Sequence, residues 1–120
     1  MINEIITLGI DALGRAAHAA SAKSGFWKNE ANKNIPTKLC LIHSEISEAM
    51  EGYRKNLMDD KLPSRSSVEV ELADAMIRIA DLAHYLNLDL GAAIIEKMEY
   101  NSSRPDHKAS ARASKHGKKF

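Results

Sequence analysis

Aromatic side chains are scarce in this sequence: two Phe, three Tyr and one Trp make up 5% of it. The core must therefore be assembled from Leu, Ile, Ala, Met and Val, a set that suits helices better than a sandwich of aromatic-rich strands. No segment alternates apolar and polar residues convincingly enough to mark a strand. Cysteine is rarer still. Cys40 stands alone, so an intrachain disulfide cannot form and a cysteine-ligated zinc site lacks its ligands. A long hydrophobic run is also missing, since nothing approaches the roughly 18 apolar residues that span a bilayer. The start of the chain has no basic stretch followed by the apolar run of a signal peptide. These absences lead us to expect a cytoplasmic protein with no membrane partner.

What is present fits one domain. A length of 120 residues suffices for a single core, and an apolar share of 44% is ordinary for a globular chain. The net charge of +1 hides an asymmetry: residues 104–120 carry six Lys and Arg and one acid, leaving eleven bases and fifteen acids elsewhere. The expected organisation is a helical domain over 1–104 and a basic tail over 105–120. Such a tail is either a solvated terminus or a set of cations that folds over an anionic ligand.

Four helical stretches are legible. The first runs from about Ile2 to Lys23, with Ile5, Leu8, Ala12, Leu13, Ala16 and Ala20 at helical spacing, and Ser24-Gly25 ends it. A loop over 25–35 carries the only tryptophan, Trp27. The second helix starts near Pro36 or Thr37 and reaches about Asn56, with Leu39, Ile42, Ile46, Ala49, Met50 and Tyr53 on its inner face. A polar turn over 58–65 follows. Ser66 and Glu69 have the spacing of a capping box, which starts a third helix running to about Leu86. Asn87-Leu88-Asp89 breaks the chain, and Asp89 caps a fourth helix over about Leu90–Ser102, before Pro105. The expected fold is all-α, a four-helix bundle assembled as a homo-oligomer.

The chemistry concentrates on helices two and three. Helix three is apolar almost all round, which predicts burial, yet it carries Glu71, Asp74, Arg78 and Asp81 at spacings of three, four and three, a single stripe. Buried charges need partners or a metal. Helix two presents Glu45 and Glu48, three apart, beside Leu41, Ile42 and Ala49. Two acidic pairs on adjacent helices would repel one another without cations, and magnesium or manganese, hard ions that take oxygen ligands, would relieve that repulsion. The competing reading of each pair is a solvated helix face.

The residues that carry a family resemblance lie in order along the chain. Lys38-Leu39-Cys40-Leu41-Ile42-His43-Ser44-Glu45-Ile46-Ser47-Glu48-Ala49 resembles the first signature of the MazG-like, all-α nucleoside triphosphate pyrophosphohydrolases. Val70-Glu71-Leu72-Ala73-Asp74-Ala75 resembles their second signature. Lys97 through Pro105 resembles their Lys-x-x-x-Asn-x-x-Arg element, and His116-Gly117-Lys118-Lys119-Phe120 resembles a family ending. One departure is the insert Asp106–Lys115 between Arg-Pro and His-Gly, where His107-Lys108 is the other candidate for the His-Gly position.

The resemblance implies a magnesium-dependent enzyme, with manganese as a substitute, that cleaves a (d)NTP to (d)NMP and pyrophosphate for pool control or house-cleaning. It implies Glu45, Glu48, Glu71 and Asp74 as metal ligands, and Glu48, with Glu45, as the carboxylates that act on the water. Lys38, Lys97, Asn101 and Arg104 would touch phosphate or ribose. His18 and Trp27 would line the base pocket. A homodimer or homotetramer is implied, with nucleic acid not expected as a partner. On residues alone, Lys97, Asn101 and Arg104 read rather as a cation cluster at a helix C-terminus, Trp27 as core and His18 as a helix-surface residue, while His43 and His84 read as structural. Two rival functions remain at this point: a di-iron carboxylate bundle, for which Asp81-x-x-His84 supplies one Glu-x-x-His analogue without a second copy, and a non-catalytic helical module binding nucleic acid through its tail.

Overall fold

The computed structural model describes residues 1–30, 33–104 and 108–118. The features expected at Pro105, Asp106 and His107, and the final Lys119-Phe120, lie outside them. The described chain is all-α: α1 (Ile2–Lys23), α2 (Ile35–Arg54), α3 (Ser67–Tyr85), α4 (Leu90–Ser103) and a short α5 (Ala109–Arg112) within the basic tail.

Local chemistry sets the boundaries. The chain leaves α1 through Gly25, whose φ of 90° suits a residue without Cβ. Asn34 caps α2 by accepting from Thr37 N at 3.0 Å, with Pro36 in the first turn. That helix stops at Arg54, short of the expected end, because Asn56 turns left-handed (φ 52°). The 55–66 connection is tied back by Leu57 N donating to Gly52 O at 2.9 Å and Ser67 N donating to Leu57 O at 3.0 Å. The capping box of α3 is complete: Glu69 N donates to Ser66 Oγ and Ser66 N to Glu69 Oε1, both at 3.1 Å. Asn87 (φ 56°) makes the break after α3, and Asp89 Oδ1 accepts from Ala92 N at 3.2 Å to start α4.

The packing has α3 between α1 and α2, with α4 laid along the free side of α1. Both α1 and α2 run antiparallel to α3, so Gly14 meets Ala80 and His84, while Gly52 meets Ser67. The α4 helix is antiparallel to α1: Gly91 sits where a Cβ would come within 3.0 Å of the Thr7 backbone, and Asn3 Nδ2 donates to Glu99 Oε1 at 3.5 Å. Small residues make these approaches, and among the described residues the buried apolar positions are Ala17, Trp27, Ala49, Ala75, Ala80, Leu82 and Ala83.

The large apolar side chains are mostly outside this core. Leu39, Ile46, Met50 and Tyr53 of α2 and Leu72, Met76 and Ile79 of α3 are exposed. This differs from the expectation that α3 is buried all round and that α2 buries this stripe. The reason is that, among the described residues, α3 packs closely on α1 and α2 alone, which leaves its third side bare. The chain exposes 8992 Å², whereas a folded monomer of this mass exposes about 6,400 Å². Its radius of gyration, 17.4 Å, exceeds the roughly 14 Å of a compact chain of this length.

Candidate functional site

The acidic site forms where α2 and α3 cross. Glu45 sits on the α2 face that also buries Ala49 and Gly52, so its carboxylate is carried into the helix interface. Glu71 and Asp74, one turn apart on α3, meet it there: carboxylate oxygens of Glu45, Glu71 and Asp74 all lie within 4.8 Å of one another. Glu45 is the buried charge of the set, with 7% of its surface exposed. Glu48 lies at the exposed rim, beside Glu45 and Glu71.

Crowding of like charge perturbs these groups. Contact with Glu45, reinforced by burial and by Glu48, pushes the Glu71 carboxyl up to about 8. Burial and repulsion from Glu45 raise Asp74, while Arg78 opposes the shift. Burial pushes Glu45 up, but the hydrogen bonds from Glu71 and Arg78 outweigh it and hold this carboxyl below its ordinary value. The cluster therefore keeps a proton on Glu71 and a negative charge on Glu45. Arg78, one turn beyond Asp74, donates through Nε to Glu45 Oε1 at 2.8 Å. Glu71 Oε2 is buried without a hydrogen-bond partner among the described residues. A set of oxygen donors that includes an unsatisfied buried oxygen fits a hard divalent cation.

Beside the acids lies a cleft of about 200 Å³ whose walls include Ser21, Phe26, Glu45, Asp74, Arg78 and Asp81. Its far wall is an ordered polar knot. Asp81 Oδ1 meets His18 Nδ1 at 2.8 Å and accepts from Trp27 Nε1 at 3.1 Å. Trp27 Nε1 also donates to Ser21 Oγ at 2.9 Å. The Trp27 ring stacks on Tyr85 with centroids 3.9 Å apart and planes 10° from parallel. On Lys38, Nζ lies 4.3 Å from the Trp27 ring centroid and donates to Phe26 O at 3.0 Å; burial lowers its pKa. His18 and Trp27 thus stand beside the cleft, held by Asp81. Ser21, Phe26 and Tyr85 join them without having been singled out in sequence. Tyr85 was findable, because it lies one turn beyond Asp81 on the same face. Ser21 and Phe26 carry no comparable signal.

The structure does not bring Lys97, Asn101 and Arg104 to this place. They lie on α4, whose Glu99 contacts Asn3 at the start of α1, whereas the cleft touches Ser21 near the end of α1. The stretch of α1 from Asn3 to Ser21 is about 27 Å long at 1.5 Å per residue. Lys97 and Arg104 instead flank Tyr100, 4.9 and 5.5 Å from its ring centroid, and Asn101 Oδ1 is buried without a hydrogen-bond partner among the described residues. His43 and His84 are both exposed.

Comparison with protein families, curated proteins and solved structures yields no match. No described helix is long and apolar enough to cross a membrane.

Proposed function

We propose that this chain is a magnesium-dependent nucleoside triphosphate pyrophosphohydrolase of the MazG-like kind, acting on a (d)NTP to give (d)NMP and pyrophosphate. The observation that carries the reading is the convergence of Glu45, Glu71 and Asp74, together with a buried Glu71 oxygen that has no hydrogen-bond partner among the described residues. That arrangement joins two motifs distant in sequence, at the lip of a cleft that can admit a small polar ligand.

In this reading Glu45, Glu71 and Asp74 hold the cation, with Glu48 completing the set from the rim. Magnesium, or manganese in its place, would offset triphosphate charge and make a bound water more acidic. A cation held there would offset the repulsion from Glu45 and Glu48 that raises Glu71, and would so favour its ionised form. Glu48, exposed beside the cluster, orients or deprotonates the water that attacks the α-phosphorus, and Glu45 assists by staying ionised. Lys38 supports the wall next to Trp27, and His18 and Trp27 bound the place for the base.

The remoteness of Lys97, Asn101 and Arg104 supports a site completed by a second copy, whose α4 would supply this row. The exposed apolar residues of α2 and α3 offer a surface on which copies can associate. Leu39, Ile46, Met50 and Tyr53 repeat at seven, four and three, and Leu72, Met76 and Ile79 at four and three; by helical phase both stripes fall on the side of the α2–α3 pair away from the cleft. The surface excess over a compact monomer, about 2,600 Å² per chain, is ample beside the roughly 800 Å² per partner of a standard interface. A homodimer or homotetramer is the proposed form.

The test is product analysis with magnesium and a panel of dNTPs and NTPs. Monophosphate plus pyrophosphate, abolished by chelator, is the expected result. Orthophosphate released stepwise, or no turnover of any triphosphate, overturns the reading.

A further inference from the structure

The acidic site holds one cation that the reaction scheme above leaves without a role. Arg78 is bonded to Glu45 through Nε alone, at 2.8 Å, and among the described residues nothing accepts from its Nη groups. Arg78 also lines the cleft that begins at Glu45 and Asp74, and the smaller space between Trp27 and Lys38. A guanidinium carries five N–H donors in a fixed plane. Pinning Nε fixes that plane, so the Nη edge is preorganised for a planar or tetrahedral oxyanion. The other cation nearby, Lys38, is committed to Phe26 O and the Trp27 ring. Those expected to touch phosphate from α4 are far away in the same chain.

We propose that Arg78 is an anion clamp: Glu45 holds its Nε, and its Nη edge receives phosphate oxygens of a ligand seated in the cleft beside Asp74. This rests on, and deepens, the reading of the acidic cluster as a site for a metal-bound polyphosphate. Asp74, Asp81 and Glu45 surround the same space, so an unaccompanied anion is repelled. The clamp therefore works only when a divalent cation sits on the carboxylates. The arrangement also sets two effects of Arg78 against each other. Its charge opposes a bare cation, with which it competes for Glu45, and favours a cation that brings phosphate with it.

This opposition gives a test in which sign matters. Titration calorimetry of the full chain is run with magnesium chloride alone, with sodium pyrophosphate in chelator, and with magnesium plus pyrophosphate. The wild type is expected to bind pyrophosphate only with magnesium. Arg78→Gln is expected to weaken that binding by roughly tenfold to a hundredfold, as the loss of a charge-assisted bond pair does, while binding magnesium alone as tightly as the wild type or tighter. Arg78→Lys keeps a cation for Glu45 but has no second donor edge; it is expected to retain the wild-type melting temperature and still lose several-fold in magnesium-pyrophosphate binding. Equal weakening of both ligands by Arg78→Gln would show a merely structural residue and overturn the clamp. So would unchanged pyrophosphate binding in both variants, or a wild type that takes up no pyrophosphate with magnesium. The two readings separate cleanly. A chain that turns over no triphosphate but shows the Arg78-dependent binding loses the enzyme and keeps the clamp, and an active chain whose variants bind pyrophosphate normally does the reverse.

Discussion

Glu45 on α2 and Glu71 on α3 hold carboxylate oxygens within 4.8 Å of each other, and the pair carries one negative charge rather than two because Glu71 is pushed up to about 8. The consequence for folding has a definite sign. In the unfolded chain Glu71 releases its proton near 4.5, and in the folded chain near 8. The folded state thus binds more protons across this window, and its stability falls as pH rises through it. Glu45, lowered by its partners, acts in the opposite sense but at pH below its ordinary value. Urea unfolding in chelator is expected to show lower stability at pH 8 than at pH 6, with Glu71→Gln flattening the difference. Added magnesium should restore stability most at the higher pH. A wild-type curve that rises from pH 6 to 8 in chelator would sink the assignment.

Asp81 gathers His18 and Trp27 from the α1 end of the fold. Asp81→Asn keeps the shape but removes the charge from both bonds, and should cost about 1–3 kcal/mol. Trp27 is the only tryptophan, so its emission reports directly on the knot. A red shift of the folded-state spectrum with a lower urea midpoint is expected. Trp27→Phe should retain the stack on Tyr85 and lose less than Trp27→Ala, which vacates a buried site at about 3–5 kcal/mol.

The start of α3 depends on Ser66. Its Oγ accepts from Glu69 N at 3.1 Å while Glu69 returns a bond to Ser66 N. Ser66→Ala should lower stability by about 1 kcal/mol, read as a shifted urea midpoint with an unchanged slope. Because the acids lie farther along α3, magnesium affinity should stay within twofold at temperatures where the variant is folded.

Ile46 and Met76 lie on the bare side of the α2–α3 pair. Placing a charge there, as Ile46→Glu or Met76→Glu, should dissociate the assembly in sedimentation velocity while leaving far-ultraviolet helicity largely intact. If assembly is needed to complete the site, the same variants should lose turnover although Ile46 and Met76 do not line the cleft. A wild type that sediments as a monomer at micromolar concentration would remove the basis of this expectation.

The sequence by itself determined the elements. The bounds of α1 and the box at Ser66 and Glu69 follow from local rules: helical spacing, and side chains that satisfy free backbone groups within four residues. The stripe Glu71–Asp74–Arg78–Asp81 was legible for the same reason, since one turn of helix fixes which side chains share a face. Only tertiary structure decided what the stripe meets. Arg78 chose Glu45, and Asp81 chose His18 and Trp27, because α2 and α1 pack on two sides of α3 and present those residues at matching heights. It likewise separated Lys97, Asn101 and Arg104 from the acids, although they share a helical face. The packing of α4 back along α1 sets that distance, and the close fit of Gly91 on Thr7 is a contact between residues far apart in sequence that no local pattern encodes.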